Sequence, residues 1–327
     1  DCDGFGEAIC KGANGTVFGD GKVFSAPNNT NGYIMALDGR TGALKSSIEV
    51  PHNLDKTWSC TGHFSIVYWD GVHPGLMFKA KAGGARTMAD YAYDWDLESK
   101  GWKLRWNSGE LSTSAYPNNH QIRCLDVDGD GIDEEVNGGY CRKADGKVLW
   151  NQASQGISHG DRWHVGDMDP ARPGLEGCCI GQGSSYDLAF YTAKDGLVTR
   201  KIGNGGSNIN RGTAGDVDPA SPGYEFWSAQ TGIYNVDGSK NLKPGNGTAG
   251  TSVNSYDPAV NFRIWWDGDV LSECLDCTIL SKYAYPGMPS SAGMSKVTLE
   301  GRCDARNAVP LYGDMFGDWR EEVLIES

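Results

Sequence analysis

Asp126, Asp128 and Asp130 stand at alternate positions, followed by Gly131 and then Glu134. Alternate carboxylates in a tight loop converge on one point, glycine permits the sharp turn, and calcium accepts many oxygen ligands. The last acid arrives earlier than in an EF-hand, and a strand follows it instead of a helix. Two further loops keep a pair of alternate acids and a later one: Asp167, Asp169 and Glu176, then Asp216, Asp218 and Glu225. Asp314, Asp318 and Glu322 make a looser version. Asp1 and Asp3 make a degenerate one, in which Phe5 replaces the third acid. Acids also cap turns without any ion, but recurrence favours a cation. Lys and Arg total 29 against 42 Asp and Glu, a formal charge of −13. Six or seven divalent ions would roughly cancel that charge, so several structural calcium ions are expected.

A second kind of chemistry is offered by His159 and His164, which flank Asp161, and by His120 just before the best loop. A neutral imidazole is a natural proton acceptor near neutral pH. The competing reading is a pair of structural histidines, or a cation held through Asp161. Trp163, Trp227, Trp265, Trp266 and Trp319 offer flat faces for a sugar ring, although such residues more often lock packed sheets. Trp265 and Trp319 are expected in the core, and Trp163 is a candidate for binding substrate. No glycine-rich phosphate loop and no Gly-x-Ser-x-Gly elbow is present. The absence of any basic block argues against a nucleic-acid partner.

The acidic turns recur. Asp167–Glu176 and Asp216–Glu225 are nearly the same decapeptide 49 residues apart, and fainter copies fall at Trp69-Asp70 and at Trp266-Asp267-Gly268-Asp269. Across the chain the spacing is about 52 residues, close to that of propeller blades. Between the turns lie short β-type runs joined by Asp-Gly at 38–39, 145–146, 195–196 and 237–238, the dipeptide of tight hairpins. Helical periodicity is confined to a turn or two near Val270–Leu280. With 46 glycines, and without the roughly 18-residue apolar run of a membrane-spanning helix, the 327 residues predict an all-β protein. The expected fold is a calcium-stabilised β-propeller over 1–327, covering about six to seven blade repeats. A β-sandwich is the alternative. The sequence starts and stops beside acidic turns, so the ring is expected to close through the ends or to be incomplete at one or both.

Ten cysteines suggest an oxidising compartment. Sequons at Asn14, Asn28 and Asn246 point the same way, to an extracellular glycoprotein. Cys124 with Cys141, and Cys2 with Cys10, are the expected staples. Adjacent Cys178 and Cys179 allow a vicinal bridge or two separate partners, and Cys274 with Cys277 has redox spacing without a redox-fold context.

Several segments resemble the rhamnogalacturonan lyases of polysaccharide lyase family 11. They are His159–Asp169 with Arg172–Glu176, Asn261–Asp269, Gly317–Val323, Asn119-His120 ahead of the Asp126 loop, and Gly15-Thr16 with Gly19–Val23. The resemblance implies a calcium-rich, eight-bladed propeller that cleaves the rhamnogalacturonan I backbone of pectin by β-elimination. It implies that Arg211 binds the substrate carboxylate and that Asn119 contributes to the substrate site. Two departures stand out. The family's His-Glu pair after the strand following Glu176 reads Gly181-Gln182 here. Its Asn-Gly-Thr-Lys segment reads Cys303–Arg306, so Arg306 would stand for the carboxylate-binding lysine. Arginine still grips a carboxylate but accepts protons poorly. The cysteine content suggests a eukaryotic, fungal relative.

Elimination from a uronide needs the carboxylate neutralised, a base for the C5 proton, and support for the departing O4. Calcium or arginine suits the first task and histidine the second. The expected activity is therefore a secreted polysaccharide lyase acting on a plant cell-wall polymer, with no nucleic-acid or membrane partner. The alternatives are an exo-lyase cutting rhamnose–glucuronate linkages of gum-type arabinogalactan, and a non-catalytic carbohydrate-binding or structural propeller.

Overall fold

The computed structural model describes residues 5–26, 32–50, 61–81, 87–117, 119–182, 184–203, 205, 211–228, 231–240, 260–282, 297–303, 309 and 311–325. Among these the chain is all-β: twenty-five strands in seven antiparallel sheets, with one short 3-10 turn at Ala153–Gln155. No helix among them is long and apolar enough to cross a membrane. The chain divides into two compact units, 1–154 and 155–327.

The first unit holds three sheets. Strands β1 (Glu7–Gly12), β2 (Tyr33–Asp38) and β3 (Leu44–Glu49) form the first. The second has β4 (Thr61–Val67), β5 (Gly75–Lys81), β6 (Thr87–Asp96) and β7 (Gly101–Asn107), with β8 (Leu111–Ser112) pairing β6. The third is β9 (Arg123–Leu125), β10 (Glu134–Val136), β11 (Tyr140–Arg142) and β12 (Val148–Asn151). In the second unit, β13 (Gly160–Gly166), β14 (Glu176–Gly181), β15 (Leu188–Thr192) and β16 (Val198–Ile202) make one sheet. Next come β17 (Gly212–Gly215), β18 (Glu225–Ser228) and β19 (Tyr234–Asn235), followed by β20 (Phe262–Ile264), β21 (Glu273–Asp276), β22 (Ile279–Ser281) and β23 (Val297–Thr298). The pair β24 (Leu311–Gly313) and β25 (Glu322–Leu324) closes the series. The helical turn expected near Val270–Leu280 is instead the β21–β22 hairpin, whose apolar Leu275 and Leu280 pair across strands rather than along one helix face.

Most apolar clusters join two consecutive sheets, while Phe18, Tyr33 and Met35 pack on the first sheet alone. Leu76 and Phe78 of the second sheet meet Ile34 of the first, and Val67, Met77 and Ala92 meet Ile122 beside the third. In the second unit, Cys178, Ile180, Leu188 and Phe190 pack on Ala214 and Phe226, and Trp227 packs on Val260 and Cys274. Sheets that bury both faces read as apolar runs rather than alternation, and β14 is buried at all six positions.

The four Asp-Gly turns lie where expected. The aspartate side chains accept backbone N–H groups two residues on, as Asp145 does from Lys147 and Asp237 from Ser239. Gly146 and Gly238 take φ of 82° and 79°, angles that favour glycine.

The cysteine pattern departs from expectation. Cys277 is bonded to Cys303, not to its CxxC neighbour Cys274. Cys124 and Cys141 are free because β10 separates their strands. Two strand spacings are about 10 Å, beyond the Cα reach of a disulfide. Cys178 and Cys179 are buried and not bridged to each other, and Cys2 lies outside the described residues.

Candidate functional site

The acidic corners share one construction. A glutamate opening the second strand of a sheet turns back and accepts backbone N–H groups of the corner before it. Glu134 accepts from Val127, Glu176 from Met168 and Asp169, Glu225 from Val217 and Asp218, and Glu322 from Met315. Glu273 does the same with Trp266, at 2.9 Å. The residue before several of these glutamates ties its sheet to the previous one. Asp133 accepts the Tyr68 N–H and Glu321 accepts that of Trp265, while the N–H groups of Tyr224 and Ser272 donate to the Met168 and Asp216 carbonyls.

Within the first corner, Asp126 accepts the N–H groups of Gly129, Asp130 and Gly131. Gly129 and Gly131 take φ of 82° and 87° to allow this wrap. Oxygens of Asp126, Asp128 and Glu134 come within 4.8 Å of one another, a grouping that could hold a metal ion. Asp130, expected among the ligands, instead accepts the Ile132 N–H. The Asp128 Oδ1 and Glu225 Oε1 atoms are buried without a protein hydrogen bond, which suits a missing cation better than a closed polar network. Asp169 is partly compensated by Arg172 at 3.2 Å. In the last corner Asp314 accepts the N–H groups of Gly317, Asp318 and Trp319, and Asp318 pairs with Arg320.

Crowded, buried carboxylates resist ionisation. Burial, joined by the charges of Asp128 and Asp130, pushes Glu134 up to about 7. Burial pushes Glu225 up to about 8, against two backbone donors. Asp216 is raised by burial and by Asp218 beside it. Lys282 behaves oppositely: its hydrogen bonds to Asp267, Asp269 and Glu273 outweigh burial and hold the ammonium above lysine's ordinary range.

The histidines fall on different elements. His120 is half-buried between β8 and β9, and the carbonyl of Asn119 before it accepts the ammonium of Lys79 at 2.6 Å. Asn119 itself is 1% exposed, with its amide donating to the Gly138 carbonyl. Its side chain is thus spent on the protein interior rather than offered to a substrate. His159 is half-buried at the entry to β13, and its carbonyl accepts the Gln182 N–H at 3.1 Å. The departure at Gly181-Gln182 therefore lies beside His159. Asp161 is half-buried in β13. His164, on β13, meets the Gly212 carbonyl of β17 through Nε2 at 3.2 Å, which ties two sheets together.

Arg211 is half-buried just before β17 and donates to the Asn261 side-chain oxygen, while the Asn261 amide donates to Asp276. Asn261 and Asp276 are buried. This relay aims the guanidinium, and no local sequence pattern links Asn261 or Asp276 to Arg211. Arg306 lies outside the described residues. Trp163 is fully enclosed at 0% exposure, so its ring packs inside its unit and offers no face to a sugar. Trp319, expected in the core, is 59% exposed with φ of 76°, because the corner's wrap around Asp314 turns it outward. Of the sequons, Asn14 is exposed on a turn, with its side-chain oxygen accepting the Ala26 N–H. Asn28 and Asn246, like Asp1 and Asp3, lie outside the described residues.

Known proteins share this arrangement. Residues 1–327 match the rhamnogalacturonan lyase family 11 C-terminal domain. Rhamnogalacturonan endolyase YesW of Bacillus subtilis is 33% identical over 99% of this chain and 53% of its own length. Rhamnogalacturonan exolyase YesX of the same organism is 29% identical over 99% of this chain and 57% of its own. The chain thus spans little more than half the length of these curated relatives. Among solved structures, that of YesW superposes with a TM-score of 0.77 at 28% identity, covering 99% of this chain and 56% of that one. A Bacillus licheniformis rhamnogalacturonan lyase gives 0.76 at 29%, with 99% and 56% covered.

Proposed function

We infer that this chain, which belongs to rhamnogalacturonan lyase family 11, cleaves the rhamnogalacturonan I backbone of pectin by β-elimination at galacturonate. The observation that carries this reading is the match of the family's C-terminal domain across the full 327 residues, with relatives that are endo- and exolyases. In the step itself a base takes the C5 proton, a C4–C5 double bond forms, and the C4–O4 bond breaks with O4 leaving protonated. The Arg211 guanidinium, steered by Asn261, binds the uronate carboxylate and stabilises the charge that builds as C5 loses its proton. His159 serves as the base and His120 is the second candidate for that role. His164, engaged with the Gly212 carbonyl, holds β13 against β17.

Calcium is the cation of the acidic corners. Calcium–oxygen distances of about 2.4 Å put opposite ligands about 4.8 Å apart, and the oxygens of Asp126, Asp128 and Glu134 all lie within 4.8 Å of one another. Asp167, Asp169 and Glu176, Asp216, Asp218 and Glu225, and Asp314, Asp318 and Glu322 would hold further ions. Bound calcium would supply fixed positive charge to an acidic protein that binds an acidic polymer. The sheets are blades of a β-propeller: most described cores lie between consecutive sheets, and the ties from one corner to the next repeat. The sequons and the Cys277–Cys303 bridge support a secreted protein.

The test is the ultraviolet absorbance of the unsaturated uronate product, with rhamnogalacturonan I, gum arabic and homogalacturonan offered in turn. Signal from rhamnogalacturonan I alone is expected. Signal from gum arabic instead would favour a rhamnose–glucuronate lyase, and none from any polymer would leave a non-catalytic propeller.

A further inference from the structure

The corner made by Asp267, Asp269 and Glu273 groups its carboxylates as the Asp126 corner does, yet it differs from its sisters at two positions. In the corners anchored by Glu134, Glu176, Glu225 and Glu322, the residue before the clasped N–H is an aspartate: Asp126, Asp167, Asp216 or Asp314. Here Glu273 clasps Trp266, and the preceding residue is Trp265. One carboxylate is missing.

The second difference lies across the sheet. Glu176 pairs in register with Thr192 and Glu225 with Asn235, both uncharged. One residue beyond the Cys274–Ser281 pair, Glu273 faces Lys282. The Lys282 ammonium lies 2.6 Å from Asp267, 2.5 Å from Asp269 and 3.1 Å from Glu273. The ammonium donates hydrogen bonds to Asp267 and Asp269 and forms an ion pair with Glu273. The corresponding Lys143 of the Asp126 corner is unlike it, reaching only Asp128 at 3.4 Å with 42% of its side chain exposed, against 10% for Lys282.

We propose that Lys282 is the resident cation of the Asp267–Asp269–Glu273 corner, which therefore holds its carboxylates together without a metal ion. The loss of the first aspartate and the gain of the lysine compensate one another. The same backbone corner is closed by an internal charge where its sisters would use a bound one.

Calcium content of the whole chain, measured by elemental analysis after gel filtration in calcium chloride, tests this. Lys282→Met should bind one calcium more than the wild type, and its melting temperature should fall in chelator and recover with calcium. Asp267→Asn/Asp269→Asn should bind as many calcium ions as the wild type. Equal content in Lys282→Met and wild type overturns the proposal, as does one calcium fewer in the double asparagine variant. Should Lys282→Met fail to fold even with calcium, the double variant alone decides. The result is separable from the calcium reading of the other corners. A wild type free of calcium refutes that reading, while a calcium gained by Lys282→Met would still support a lysine-filled corner.

Discussion

Raising the pH of the calcium-free protein should loosen its acidic corners, and Glu225 sets the scale. Its carboxyl is 0% exposed, and one oxygen accepts the Val217 and Asp218 N–H groups while the other is buried without a partner. In the unfolded chain it titrates near 4.5, and in the folded chain near 8. The folded state thus binds this proton more tightly. The associated stability is full below about pH 4.5 and is lost as the pH rises through about 8. That difference corresponds to roughly 5 kcal/mol, or a fall in melting temperature on the order of 10 °C for a unit of this size. Glu134, raised to about 7, adds to the same slope at lower pH. Calcium should remove most of it, since a metal-bound carboxylate is already ionised, and binding near neutrality should release protons. Circular-dichroism melts between pH 5 and 9, in chelator and in calcium, measure both curves. Glu225→Gln should flatten the chelator curve between about pH 5 and 8. A wild-type melting temperature that is flat in chelator, or a Glu225→Gln slope equal to the wild type, would refute the reasoning.

His159→Ala and Arg211→Ala should each cut turnover by roughly a hundredfold or more, with the thermal transition retained; near-normal turnover removes that residue from the mechanism. Asn261→Ala removes an acceptor that positions Arg211, so KM should rise roughly tenfold while the fold persists, as substrate titration would reveal. Trp163→Ala empties a fully enclosed ring site and should cost about 3–5 kcal/mol, measurable by denaturant unfolding, with little change in KM for the protein that remains folded.

The corners were legible because their chemistry is local: alternate aspartates, a glycine and a later glutamate lie within ten residues, and the hairpins are marked by Asp-Gly. What escaped reading depends on pairings across strands. Lys282 sits beside three carboxylates only once β21 and β22 are in register. Asn261, held by Asp276, reaches Arg211 from another sheet, 50 residues along. Cys277 finds Cys303 across 26 residues while Cys274 lies three away. Trp163 and Trp319 carry the same side chain, and no local pattern says that one is enclosed and the other turned out by a loop wrapping Asp314.

The shared construction of the later corners has a physical cause in these ties. Asp167, Asp216, Trp265 and Asp314 follow one another at 49-residue steps although Trp265 carries no carboxylate. Metal binding alone would not preserve the corner at a position that has lost its ligand. A double clasp would. Glu273 reaches back to its own corner at Trp266, and Ser272 beside it reaches the previous corner at Asp216, 56 residues away. Glu322 and Glu321 repeat this with Met315 and with Trp265, again 56 residues away. An inserted residue between a corner and its glutamate would break both clasps at once, leaving buried polar groups unpaired. An insertion in a connection beyond the strands would disturb neither. The shape of each corner, with its reach of 7 or 8 residues to the glutamate, is therefore set by backbone hydrogen bonding, and a cation would be added to a corner whose shape the glutamate already holds.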